Sequence, residues 1–187
     1  MAVKSRRKAR EAALRSLYEI ELGQSPVDAA AGAAVEEFDL AGDQRRFALN
    51  VVSGFLEHQS EIDNGLAKLI HDFDFDRVAP IDRNILRIAA YEFLFEPSIP
   101  PKVTINEAIE IAKKYSTAES GRFVNGVLGR YLSMTPKANW DPSSAPIEEA
   151  EERYSEPEEA EEEEIVTEDS EEVATIKKFG SWTIRNS

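Results

Sequence analysis

Apolar residues in the first 138 positions recur three and four apart, and no run alternates with period two for long enough to build a strand. Spacing of that kind closes one face of an α-helix, whereas alternation would close one face of a sheet. The chain is therefore expected to be all-α, with about seven helices. Ala9, Ala13, Leu17 and Ile20 mark a first helix over about 5–22, which Gly23 ends. Ser25 before Pro26 reads as an N-cap with proline at the first helical position, starting a short alanine-rich helix that reaches about Phe38. Asp43 is placed to cap a third helix, in which Phe47, Val51 and Phe55 recur every four residues. Ser60 is placed to cap a fourth, with Ile62, Leu66 and Leu69 facing inward.

After a loop over 73–79, with Phe73 and Phe75 tucked inward, Pro80 stands near the start of a helix over about 80–95. Ile81, Ile85 and Ile88 make one stripe and Leu86, Ala90 and Phe93 a second, so this helix is apolar over most of its circumference and should be central. Pro97, Pro100 and Pro101 force a loop. Thr104 and Glu107 have the spacing of a reciprocal capping box, and Ile105, Ala108, Ile109 and Ala112 continue the period behind them. The last helix, over about 121–132, rests on Val124, Val127, Leu128 and Tyr131. Asn125-Gly126 alone would read as a turn; the period outweighs it, and Gly126 becomes a site of close helix contact.

Charge divides the chain. The formal net of −14 is concentrated at the end: residues 1–140 carry 18 Lys and Arg against 20 Asp and Glu, and residues 141–187 carry 4 against 16. Thr135-Pro136, Asp141-Pro142 and Ala145-Pro146 break helices, and a glutamate-rich run follows. Residues 139–187 thus read as a low-complexity acidic tail with too little apolar surface to offset its chain entropy, expected to be disordered. Its last fifteen residues depart from that, with Ile176, Phe179, Trp182 and Ile184 beside Lys177, Lys178 and Arg185.

Much chemistry is missing from the sequence. There is no cysteine, which removes disulfides and thiolate chemistry, and no stretch approaches the ~20 apolar residues of a membrane span. The amino terminus has a basic run without the apolar segment of a signal peptide, so a cytoplasmic protein is expected. His58 and His71 stand thirteen apart on different elements, and GxxxxGK[ST], GxGxxG and GxSxG are all absent. Asp72, Asp74 and Asp76 imitate the first half of a calcium loop, but Arg77 stands where the loop needs glycine and Arg83 where it needs glutamate. No metal, cofactor or enzymatic activity is expected.

What remains is cationic. Lys4, Arg6, Arg7, Lys8, Arg10 and Arg15 face Glu11 alone in the first fifteen residues, a net of +5. Arg6 and Arg10 lie four apart on one side of the first turns. A guanidinium can grip a phosphate bidentately and stack on a base, which suits a nucleic-acid ligand. Cations at a helix start are mildly unfavourable to the macrodipole, so helix support does not explain them.

Four strings carry a further signal: Arg6-Arg7-Lys8-Ala9-Arg10-Glu11 with Ala13-Leu14 and Leu17-Tyr18; Asp82-Arg83-Asn84-Ile85-Leu86-Arg87-Ile88-Ala89 with Tyr91-Glu92; Lys102-Val103-Thr104-Ile105-Asn106-Glu107-Ala108-Ile109-Glu110; and Phe123-Val124-Asn125-Gly126-Val127-Leu128. In this order, over residues 5–132, the chain resembles the NusB family of bacterial transcription antitermination factors. The resemblance implies two packed helical subdomains, about 1–75 and 79–138. It also implies an RNA-binding adaptor that takes the boxA element of nascent ribosomal RNA together with the ribosomal protein NusE, within the transcription elongation complex. Carried over by position, Arg6, Arg7 and Arg10 resemble the family's arginine-rich RNA-binding segment, and Tyr115, Glu119, Arg122 and Phe123 the second part of that surface. An exposed Tyr115 or Phe123 could stack an unpaired base, and Phe123 could equally be core.

Three departures stand out. Phe73 and Phe75 occupy the region where the family commonly has a tryptophan, Glu119 stands where it often has aspartate, and the acidic tail has no counterpart. Two alternatives stay open: a protein–protein adaptor working through the tail, and an accessory RNA-binding module like those fused to some ribosomal RNA cytosine methyltransferases. A glutamate run on the same chain could also compete with RNA phosphates for the arginine helix. The sequence does not separate monomer from homodimer.

Overall fold

The structure, a computed structural model, describes residues 6–71 and 74–141. In these residues the chain forms seven α-helices and no strand: α1 (Arg7–Gly23), α2 (Val27–Glu37), α3 (Gly42–Glu57), α4 (Gln59–Ala67), α5 (Pro80–Phe95), α6 (Pro101–Tyr115) and α7 (Ser120–Leu132). Short 3-10 turns, Phe75–Arg77 and Pro136–Asn139, precede α5 and follow α7. The disordered state expected for the tail, the surroundings of residues 173–187, and the positions of Lys4, Asp72 and Phe73 lie outside the described residues.

Helix α5 is the hub, packing against α1, α3, α4, α6 and α7. Every residue from Asp82 to Phe93 is buried. The two apolar stripes explain most of that; the polar members survive burial because hydrogen bonds replace the water they lose. Alongside α5, α1 runs antiparallel. Arg10 near its start meets Glu92 near the end of α5, and Glu21 near its own end meets Arg83 and Asn84 near the start. α1 also packs on α2 and α3, and α6 packs on α7.

Helix boundaries differ from those that capping residues alone suggest. Gly23 is the last residue of α1 rather than its stop, and Gln24 takes the left-handed conformation (φ 50°). Pro26, not Ser25, is the N-cap of α2. Ala41 and His58 precede α3 and α4, so Asp43 and Ser60 sit inside the first turns, and Asp43 pairs with Arg46. Pro101 starts α6 early enough to place Thr104 and Glu107 within the helix, where each bonds another element instead of forming a capping box.

Helix α7 does run through Asn125-Gly126, but Gly126 is exposed and a Cβ there would meet nothing within 4 Å. The close approaches are elsewhere. A Cβ at Gly54 would overlap the ring of Tyr91, and one at Gly65 would come within 2.8 Å of Tyr131. Those two glycines let α3 and α4 seat tyrosines from α5 and α7.

Candidate nucleic-acid interface

Helix α1 begins at Arg7, with Arg6 as its N-cap, and its buried stripe runs through Ala9, Ala13, Leu14 and Leu17. Arg10 belongs to that stripe: it is 4% exposed, and its guanidinium donates to Glu92 Oε1 (2.6 Å) and Oε2 (2.8 Å). Glu92 Oε2 also accepts the Thr104 hydroxyl (2.8 Å), joining α1, α5 and α6 at one buried carboxylate. Burial alone would lower the Arg10 pKa, and the Glu92 charge more than reverses that. The fork expected to grip phosphate is therefore filled by a carboxylate of the same chain.

Arg6 and Arg7 stand differently. Arg6 is half-buried, its guanidinium 5.0 Å from the Phe47 ring centre, and Arg10 lies 5.3 Å from the same ring. Phe47, expected simply as a core residue of α3, is also a platform for two cations. Arg7 donates to Glu107 Oε2 (2.8 Å) and Oε1 (3.0 Å), with 43% of its side chain still exposed. The Glu107 hydrogen bond pushes the Arg7 pKa up. Lys8 is exposed and makes no ion pair with another described residue.

The second group divides too. Tyr115 is 2% exposed, and its hydroxyl donates to Glu11 Oε2 (2.8 Å). Its ring is not presented for stacking, contrary to the expectation of an exposed Tyr115. Burial, reinforced by Glu11, pushes the hydroxyl well above the usual tyrosine range. Lys114 bonds the same carboxylate (2.8 and 3.0 Å), so buried Glu11 fastens the start of α1 to the end of α6. Glu119 and Arg122 are strongly exposed and 3.8 Å apart. Phe123 is half-buried, one side packed on the core. Beneath them, the hydroxyls of Ser116, Thr117 and Ser120 cluster, and Ser120 donates to Asp82 Oδ2 (2.8 Å), fixing the corner between α6 and α7 against α5.

Sequence reasoning missed the anions that hold these cations: Glu11, Glu92 and Glu107. Glu92 had a readable signal, a charged residue inside an otherwise apolar helix, which must find a partner. At the far end of α1, Glu21 accepts from Arg83 (2.6 Å), Asn84 (2.9 Å) and Arg87 (3.1 Å), and Arg87 also forks onto Asp63 (both bonds 2.8 Å). The motif Asp82–Arg87 is thus spent on packing.

The NusB family model matches residues 7–133. The chain is 41% identical over 133 residues to the transcription antitermination protein NusB of Desulforamulus reducens, covering 71% of this chain and 93% of that protein. Against its namesake in Desulfitobacterium hafniense it is 44% identical over 135 residues, covering 71% and 91%. The solved structure of T. maritima NusB superposes with a TM-score of 0.67 at 34% identity, over 79% of this chain and 98% of that one. A chain from the solved complex of the antitermination factors NusB and NusE with double-stranded RNA superposes at 0.65 and 28% identity, over 71% and 98%. The match spans the fold from the first turn of α1 to the end of α7, and the chain belongs to the NusB family.

Proposed function

We propose that this protein is an RNA-binding adaptor of transcription antitermination in ribosomal RNA operons, holding a boxA-like single strand together with NusE in the transcription elongation complex. The observation that carries this reading is the division within α1. Arg10 is locked to Glu92, while Arg6, Arg7 and Lys8 reach the surface beside it. The names of its relatives and the NusB–NusE–RNA complex among its structural neighbours support the same reading.

Arg6, Arg7 and Lys8 contact phosphates, and the exposed Arg122 extends that surface from α7. Glu119 orients Arg122, and the exposed side of Phe123 supports a base. Arg10 and Tyr115 are positioning residues, holding α1 against α5 and α6. The role is binding without catalysis, in the cytoplasm; no helix among the described residues is long and apolar enough to cross a membrane. Residues 1–75 and 79–138 act as two subdomains joined along α5. The relatives at 41% and 44% identity carry the name of transcription antitermination proteins, which favours the antitermination adaptor over the accessory module of a methyltransferase.

Titration with a single-stranded boxA-like RNA, a scrambled strand and a boxA duplex, each with and without NusE, tests this. The boxA strand should bind at least about tenfold tighter than the scrambled one, a discrimination of ~1.4 kcal/mol, and NusE should widen the gap. Equal affinity for boxA and scrambled RNA, or none, contradicts it, and a preference for the duplex replaces the single-strand reading.

A further inference from the structure

Arg6, Arg7, Lys8 and Arg10, close together at the start of α1, are held in different ways. Arg10 is forked onto Glu92 and Arg7 onto Glu107. Each carboxylate fixes its guanidinium and also offsets its charge, so a phosphate gains less there. Lys8 keeps its full charge, being exposed with no ion pair to another described residue, but nothing fixes its long side chain. A strand that takes Lys8 must first order it, at a cost in rotamer freedom. Arg6 combines what the others divide. Its guanidinium carbon lies 5.0 Å from the centre of the Phe47 ring, within the range of a cation–π contact, and no carboxylate among the described residues pairs with it. An aromatic face attracts a cation through its quadrupole but carries no net charge, so it holds the side chain and leaves the positive charge whole.

The support itself is fixed. Phe47 lies in the second turn of α3, 6% exposed, in the core that α3 shares with α1 and α5. Arg6 and Arg10 are one helical turn apart, which brings both over the same ring, Arg10 at 5.3 Å. Two cations on one ring repel, and Glu92 offsets the charge of the buried one. The half-buried one, Arg6, is left charged and in contact with solvent. Resting on the RNA-binding role proposed above, we infer that Phe47 is a positioning residue for RNA, holding Arg6 at full charge as the principal phosphate grip of this surface. The ring acts through Arg6, because Glu92 fixes Arg10 independently of it.

The test is a double-substitution cycle in the full chain at matched folded fraction: Phe47→Leu, which keeps an apolar side chain but removes the ring, Arg6→Gln, and the two together. The probes are the single-stranded boxA-like RNA and inorganic polyphosphate. Phe47→Leu should weaken binding of both about three- to fivefold at ~50 mM salt. In the Arg6→Gln background the same step should change either affinity by less than about 1.5-fold, because the ring has no outer cation left to hold. Phe47→Tyr, which keeps an aromatic face, should stay within about twofold of the parent. Arg6→Gln, which leaves the core untouched, should cost more affinity than Lys8→Gln. A Phe47→Leu loss of equal size in both backgrounds marks a packing role alone and overturns the inference, as does an Arg6→Gln loss smaller than that of Lys8→Gln. Absence of coupling while boxA still outbinds a scrambled strand leaves the RNA reading standing without this grip. Coupling on polyphosphate with no preference for boxA over the scrambled strand keeps the grip and defeats the RNA reading, and binding of neither probe by the parent overturns both.

Discussion

At its carboxyl end α1 offers α5 a single carboxylate, Glu21, and receives Arg83, Asn84 and Arg87, with Asp63 of α4 taking the other side of Arg87. At its amino end the polarity is reversed: α1 brings arginines, and α5 and α6 supply Glu92 and Glu107. The carboxyl end closes, its arginines between 7% and 9% exposed at the side chain. The amino end does not close. Glu92 is buried completely, but Arg7 keeps 43% of its side chain in solvent and Lys8 is exposed. The same pairing chemistry therefore builds a closed structural joint at one end and leaves cations partly in solvent at the other, where a polyanion has access to them.

The largest effect should come from opening the joints. Glu92→Gln strands a buried guanidinium, and Arg87→Met strands Asp63 and part of Glu21. Each should cost about 3–5 kcal/mol in urea denaturation, because an unpaired buried charge costs more than the pair contributes. A loss well under ~1 kcal/mol at Glu92 would mean that the amino-end joint is as open as the surface beside it. Next, replacing Arg6, Arg7 and Lys8 together with glutamine should leave the folded state within about 1 kcal/mol, since exposed pairs contribute little. RNA affinity should fall by one to two orders of magnitude at low salt, and the logarithmic salt slope should become shallower by roughly 0.7 for each phosphate no longer neutralised. Equivalent glutamine substitutions at Lys68 and Arg77, exposed at the end of α4 and in the turn before α5, should leave RNA binding unchanged.

The smallest effect concerns Tyr115. Its hydroxyl pKa is raised in the folded protein, so the protonated form contributes stability that is fully present below the ordinary tyrosine value near 10 and is lost as pH rises through the folded value. Tyr115→Phe should flatten the alkaline fall in stability above about pH 10 while changing RNA affinity at neutral pH less than about twofold. A tenfold loss of affinity would instead make Tyr115 part of the binding surface.

Much of this was legible in the sequence. The helical period marked out the seven helices, and two stripes on residues 80–95 identified the central one. The cation cluster and the four strings pointed to RNA. Helix starts were less legible, because none of the seven helices takes a side-chain cap and proline sets the first turns of α5 and α6. Counting charge also hid which arginines were spent. Arg10 falls in register with Ala13, Leu14 and Leu17, and Tyr115 with Ala108, Ile111 and Ala112, so spacing alone places both on buried faces. A polar group on a buried stripe is a joint before it is a ligand site. Its partner cannot be read from one element, because Glu92 and Glu11 lie 82 and 104 residues away from Arg10 and Tyr115.

The most direct measurement sets two variants side by side at matched folded fraction: Arg10→Met with Glu92→Leu, which replaces the buried pair by apolar side chains, and Arg7→Glu, which reverses an exposed charge. The apolar pair should retain boxA RNA affinity within about threefold, while Arg7→Glu should lose at least about tenfold at low salt. The opposite order would place the RNA on Arg10 and contradict the division of α1 on which the account rests.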